Sequence, residues 1–298
     1  MWLPRLEFIC PLESTRIPGW KPKHEGVGDF ISRKLPLHKA PFIEGLRLYV
    51  SCQSYIKPED VKGWIEIAVS RFVRELEIGC ITRNENIIPS SLFTCKSLLT
   101  LKLQYMTVMD VPSMVCLPSL KTLQLESVEL IDGKSFQQIL SGCPVLEHLS
   151  VQLLENYNLR EFTIIIPSLQ SLSLLLCSNW NLDGYEIDTP SLEYLKLEDS
   201  TYDALYYSLI KNMPKLREAY VNVRPFYRKN LRLGSFAYVK RLTICCSEDY
   251  WYSFMEHNGM VSWNQSSHVP ECLLSSLQTF KWSRYYGRPR DRDIAGYI

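Results

Sequence analysis

At 298 residues, with 46% hydrophobic, 12% aromatic and 22% charged side chains, the chain has the composition of a folded globular protein. Its 33 basic and 32 acidic residues leave a net charge of +1, which excludes a polyanion partner held by bulk charge; no nucleic acid is expected. No stretch approaches the roughly 18 apolar residues of a membrane span, and the ten cysteines are not spaced as a compact disulfide framework, so a reduced protein inside the cell is expected.

The N-terminal Met1-Trp2-Leu3-Pro4-Arg5-Leu6-Glu7-Phe8 puts a proline and an acid where a signal peptide needs an unbroken apolar run. From Ile43 on, one frame recurs, L-x-x-L-x-L. It reads Ile43/Leu46/Leu48, Val73/Leu76/Ile78, Leu98/Leu101/Leu103, Leu120/Leu123/Leu125, Leu146/Leu149/Val151, Leu169/Leu172/Leu174 and Leu192/Leu195/Leu197. Weaker copies follow at Leu216/Ala219/Val221, Val239/Leu242/Ile244 and Leu277/Phe280/Trp282. The later copies start at 146, 169, 192, 216 and 239, a spacing inside the window of a leucine-rich repeat. Alternation over the last positions of each frame marks a strand with one buried face. The linkers are too long for hairpins, so successive strands should run parallel. Pro41, Pro118, Pro144, Pro167, Pro190 and Pro214 share one phase and punctuate the entry to the strand. Cys95 and Cys143 lie three residues ahead of a frame, where a small apolar side chain suits a packed turn.

Between the frames, the spacing of Val61, Trp64, Ile65, Ala68 and Phe72 predicts a helix from Pro58 to Phe72. Ser135 with Gln138 is a possible capping box for a helix that buries Phe136, Ile139 and Leu140 and ends at Gly142-Cys143-Pro144. A third helix is expected from Asp203 through Leu205, Tyr206, Leu209 and Ile210, stopping near Asn212 and Pro214. Leu159, Phe162 and Ile164, and later Ile187, read as extended instead. The expected fold is α/β: a leucine-rich-repeat solenoid (horseshoe), with parallel strands on the concave face and short helices or irregular segments on the convex face.

Residues between the buried frame positions must point to the other side of the sheet, the concave face. There the sequence places Glu75, Glu77, Thr100, Gln104, Glu126, His148, Tyr194, Glu198, Glu218, Arg241 and Thr243. A central partner-binding stripe of Lys102, Gln124, Ser150, Ser173, Lys196 and Tyr220 runs among them. Polar, mixed in charge and dotted with tyrosine, such a face suits protein recognition. Catalytic and cofactor patterns are missing. Asp132-Gly133-Lys134-Ser135 ends like a phosphate loop, but its upstream glycine position is Val128. There is no paired C-x-x-C, H-E-x-x-H or G-x-S-x-G, and a serine nucleophile beside His148 and Glu126 has no motif behind it. No enzyme, metal or cofactor is expected, and Cys245-Cys246 reads as one core and one surface cysteine.

Two flanks make the repeat specific. Met1-Trp2-Leu3-Pro4-Arg5-Leu6-Glu7-Phe8 resembles the stretch that follows an F-box. Val269-Pro270-Glu271-Cys272-Leu273, running to Phe280-Lys281-Trp282, resembles the opening of an FBD domain. With Pro118-Ser119-Leu120 through Leu125 and Ser141-Gly142-Cys143-Pro144 through Leu149 between them, the chain resembles a plant F-box/FBD/leucine-rich-repeat protein. The resemblance implies a post-F-box segment over 1–40, the solenoid over 41–250 and part of an FBD domain over 251–298. It also implies the substrate-recognition part of an SCF-type E3 ubiquitin ligase receptor, binding a target protein, with the Skp adaptor as the partner of an F-box that these residues do not contain. Two rival readings are a truncated or degenerate member without ligase function and a small-molecule (hormone-like) receptor, which would need a dense basic floor.

Overall fold

The structure is a computed structural model that describes residues 4–9, 26–51, 56–81, 87–108, 110–130, 132–153, 160–177, 182–201, 209–211, 213–223, 238–245 and 276–284. The chain divides into two compact units, residues 1–146 with 152–154, and residues 147–151 with 155–298.

In the first unit, β1 (Arg5–Ile9), β2 (Gly45–Ser51), β3 (Glu75–Ile81), β4 (Thr100–Val108) and β5 (Thr122–Leu130) lie side by side in chain order, every pair parallel. The return segments hold α1 (Val27–Lys34), α2 (Pro58–Ser70), a 3-10 turn over Ser90–Thr94, and α3 (Gly133–Ser141). The second unit takes in β6 (His148–Leu153) through residues 147–151. It continues through β8 (Ser171–Leu176), β10 (Tyr194–Asp199), β12 (Glu218–Val223), β13 (Arg241–Cys245) and β14 (Thr279–Ser283), again parallel. Its return segments form a second parallel sheet, β7 (Glu161–Ile165), β9 (Gly184–Asp188) and β11 (Leu209–Ile210), with β9 in the middle. Both units are leucine-rich-repeat solenoid, each repeat giving one strand to the main sheet and several of the second unit's repeats giving another to the second sheet.

Frame leucines are buried from Ile43 to Ile244, as their alternation demands. Five of the six phased prolines have one job; at Pro41 the Ile43 amide instead bonds the Arg71 carbonyl (3.0 Å). The amide of Leu120 donates to the carbonyl of Leu117, Leu146 to Cys143, Leu169 to Ile166, Leu192 to Thr189 and Leu216 to Met213. Each is a four-residue turn with proline at its second position, where a fixed φ pre-sets the bend. The residue that opens each turn is buried, including Cys143. Burial pushes that thiol's pKa up to about 12, so it packs as a small hydrophobe.

Register is pinned by a repeated carbonyl. The oxygen just before each strand accepts two amides from the next repeat: Glu44 from Arg74 and Glu75, Gln170 from Glu193 and Tyr194, Arg217 from Lys240 and Arg241. A slip of one residue would turn every leucine outward.

Helix α2 buries Val61, Trp64, Ile65 and Ala68 as expected, but Phe72 lies outside it, 68% exposed at φ 55°. The helix ends at Ser70 because Val73 must already enter the next turn, where its amide bonds the Ala68 carbonyl. In α3, Phe136, Ile139 and Leu140 are buried, but the cap is Asp132, whose Oδ1 accepts from the Ser135 amide (2.7 Å) and hydroxyl (2.6 Å). Ser135 is therefore inside the first turn rather than its cap. Gly142 closes the helix; a Cβ there would lie 2.7 Å from the Val115 carbonyl oxygen. Leu209 and Ile210, expected in a helix, form β11 against Glu186 and Ile187. The rest of that expected helix, Asp203 to Ser208, lies outside the described residues. The extended readings at Phe162, Ile164 and Ile187 hold, and the Phe162 and Tyr185 rings stack 5.5 Å apart.

A buried carboxylate ties the two layers of the second unit. Asp199 points inward from β10, fully buried, and accepts from the Tyr185 hydroxyl (3.1 Å), the Thr201 amide (2.9 Å) and the Thr201 hydroxyl (2.6 Å). Three donors offset the loss of hydration that would otherwise expel a carboxylate from a core.

Candidate functional site

Strand pairing sorts the outward side chains into rows that cross each sheet. In the first unit the central row is Glu7, Arg47, Glu77, Lys102 and Gln124, each the register partner of the next. Charge alternates along it. Arg47 donates to Glu7 (2.9 Å) and to Glu77 (3.0 Å), and Lys102 lies 4.0 Å from Glu77. Beside this row, Arg5 bridges Glu44 (3.2 Å) and Glu75 (2.9 Å). Tyr49 donates its hydroxyl to Glu77, and its ring passes so close to Gly79 that an added Cβ there would stand 2.5 Å from it. Desolvation pushes the Glu77 carboxyl upward in pKa. The Tyr49 hydrogen bond and the charges of Lys102 and Arg47 outweigh it and leave Glu77 below the usual carboxylate range. Gln104 donates to Glu126 (2.7 Å). The first unit's face is thus a lattice of groups that satisfy one another.

The second unit's central row is Ser173, Lys196, Tyr220, Thr243 and Lys281. The Lys196 ammonium sits 5.8 Å from the centre of the Tyr220 ring and 2.7 Å from Glu198. Burial, followed by the adjacent Cys245, pushes the Tyr220 hydroxyl up to about 12, so it stays a neutral donor. In the neighbouring row Arg241 holds Glu218 at 2.6 Å. Ser173, Thr243 and Lys281 make no side-chain hydrogen bond among the described residues.

The stripe read from sequence is therefore placed as follows. Lys102 and Gln124 are register partners in the first unit, and Ser173, Lys196 and Tyr220 are consecutive partners in the second. Ser150 stands on β6 in the second unit. All six are half-buried. Cys245 is buried, while Cys246 lies outside the described residues.

Sequence reasoning passed over three sets of face residues. Arg5 and Glu7 belong to β1, where Pro4-Arg5-Leu6-Glu7-Phe8 carries only the end of the frame, and that alternation is the available signal. Arg47 and Tyr49 stand on the first frame, left out of the face. Tyr105, Ser127 and Arg284 have φ of 56°, 52° and 61°, each five residues after its strand's first threonine. At Tyr105 and Ser127 this kink resets the alternation, so Met106 and Val128 face the core. No glycine marks the position, and hydrophobic pattern alone does not show it.

Comparison with known proteins bears on what this face belongs to. The leucine-rich-repeat model of FBD-associated F-box proteins matches residues 61–218, and the FBD model matches residues 265–298. In Arabidopsis thaliana, FBD-associated F-box protein At5g38590 is 49% identical over all of this chain and 81% of its own length. FBD-associated F-box protein At4g10400 is 43% identical over all of this chain and 80% of its own length. The chain belongs to the FBD-associated F-box family. No solved structure matches it. Within the family's FBD region, β14 pairs in register with β13 and continues the repeat sheet. A family member built this way is a protein-interaction repeat protein. Among the described residues no helix is long and apolar enough to cross a membrane, and no group of His, Cys, Asp or Glu is placed to hold a metal ion.

Proposed function

We propose that this chain recognises a target protein through the outward strand faces, as the substrate-recognition part of an SCF-type E3 ubiquitin ligase receptor. The carrying observation is side chains held in register on parallel strands within each unit, Lys102 with Gln124 in the first and Ser173, Lys196 and Tyr220 in the second; these five, with Ser150 on β6, are the contacts we assign. A sheet holds such groups in place before binding, so little conformational entropy is lost when a partner docks. Tyr220 offers a large ring and a neutral hydroxyl, and Lys196 is oriented by that ring and by Glu198. Membership of an F-box family supports the ligase setting.

The test is affinity capture of a partner, followed by its titration against Lys102→Glu and Lys196→Glu. Each reversal is expected to weaken binding about tenfold, since a like charge inside an interface costs more than a lost rim contact. Unchanged affinity in both variants would refute the assignment of these contacts. Accumulation of the same partner when the chain is deleted in cells would support delivery to a ligase.

A further inference from the structure

The last three strands of the second unit carry an excess of positive charge that the chain's overall net charge of +1 conceals. Over residues 213–223, 238–245 and 276–284 stand Lys215, Arg217, Lys240, Arg241, Lys281 and Arg284, against one acid, Glu218. Arg241 already holds that acid through two hydrogen bonds, at 3.0 and 2.6 Å. The other five cations make no ion pair or side-chain hydrogen bond among the described residues, and all five are exposed. The segments joining these strands do not reverse the excess. One adds Arg224, Arg228, Lys229 and Arg232, the other Glu248, Asp249, Glu256 and Glu271.

Position makes the excess usable. Arg217 and Lys240 occupy the same repeat position in adjacent strands, just before the first strand residue, and are joined by the hydrogen bond from the Lys240 amide to the Arg217 carbonyl (2.9 Å). Neighbouring strands stand about 4.8 Å apart, so these side chains form a cationic edge. Lys281 stands at the end of the row that contains Tyr220. Arg284 is held in the left-handed region at φ 61° at the close of β14, near enough for its charge to be felt at the Tyr220 hydroxyl.

We propose that β12, β13 and β14, with the entry turn of β12 and the residues just before β13, form a docking surface for an acidic, extended segment of a partner protein. The inference rests on the reading that the chain binds a protein, and it narrows that partner to one bearing a run of carboxylates. Lys215, Arg217 and Lys240 meet the carboxylates along the edge, and Lys281 and Arg284 meet them on the face. A single-stranded nucleic acid fits less well, because it needs open aromatic faces for its bases. Here the Tyr220 ring already faces the Lys196 ammonium.

The test uses the whole chain and a fluorescent octaglutamate peptide, with octaglutamine, oligothymidylate and phosphatidylserine vesicles as alternative probes. Octaglutamate is expected to bind and octaglutamine not, with affinity falling as salt rises through the screening range. The triple variant Lys215→Glu/Arg217→Glu/Lys240→Glu, and separately Lys281→Gln/Arg284→Gln, should each weaken the peptide at least about tenfold. Lys39→Glu, in the first unit, should leave it unchanged. No binding of octaglutamate, equal binding by the variants, or tighter binding of the oligonucleotide or vesicles would overturn the proposal. Should a captured target still depend on Lys102 and Lys196 while octaglutamate fails, the acidic segment falls and the protein-binding reading stands.

Discussion

The two units solve one problem in different ways. Both must return the chain from the end of one strand to the start of the next while covering a single row of leucines. The first does so with α1, α2, a 3-10 turn and α3, and the second with a sheet of β7, β9 and β11. A helix covers its row with an apolar stripe such as Val61, Trp64, Ile65 and Ala68 and needs nothing polar inside. A second sheet brings strand ends close to the core, and Asp199 with Tyr185 and Thr201 fills that polar need. Outward, the contrast runs the other way. The first unit pairs its charges among themselves, whereas the second leaves Ser173, Thr243 and several cations open among the described residues. Paired charges have already lost some hydration to each other and gain less from a partner. Open ones retain their full capacity.

The sharpest way to break this contrast is Asp199→Ala. It leaves the Tyr185 hydroxyl and the Thr201 donors without their acceptor in a core, and should cost the second unit about 3 kcal/mol. Hydrogen exchange should show β8 and β10 losing protection while β3 to β5 keep theirs, because repeats couple mainly to neighbours. Uniform loss along the chain would mean that the units do not behave separately.

Gly79→Val acts on the other unit. The new side chain meets the Tyr49 ring and should cost about 2 kcal/mol by overpacking. Combined with Tyr49→Ala, which removes the ring, the penalty should largely disappear in a double-mutant cycle.

Thr189→Val should do the opposite. Thr189 opens a proline turn where other repeats have Leu117, Ile166 or Met213, and its buried hydroxyl has no hydrogen-bond partner among the described residues. Replacing it with a methyl group of similar shape should stabilise the second unit by about 1 kcal/mol, read as a higher urea midpoint.

Acid should produce the smallest effect, and in the first unit. The folded pKa of Glu77 is below its unfolded value, so its stabilisation is present above the ordinary carboxylate range. It is lost as pH falls through the folded value. The urea midpoint of wild type should therefore decline below about pH 4.5, and Glu77→Gln should flatten part of that slope. An identical slope in the variant would remove Glu77 from the account.

Much of the fold was legible. The buried rows were written in the L-x-x-L-x-L frame, because strand alternation is a local constraint that each repeat states anew. The prolines marked the turns for the same reason. Phe72 and Ser135 were misplaced by a turn or less, since a helix end is decided by which carbonyls and side chains reach its open amides. Leu209 and Ile210 went to a strand although their spacing suited a helix, because β9 offered an edge in register. Face residues were identified correctly as outward positions, but nothing in the letters told which would be spent on neighbours. Glu77 and Lys196 look alike as charged, outward residues; one is enclosed by Tyr49, Arg47 and Lys102, and the other leans on one tyrosine and one acid.

By itself, the sequence determined the repeat, its parallel strands, its family and the identity of the outward residues, since all of these follow from short-range periodicity and local motifs. Only the tertiary structure decided which outward residues meet. Register aligns side chains that lie 22 to 70 positions apart, as Gln104 with Glu126 or Arg5 with Glu75. Charge pairing depends on distances across strands rather than along the chain. That is why a nearly neutral sequence can carry a self-satisfied face in one unit and a basic one at the end of the other.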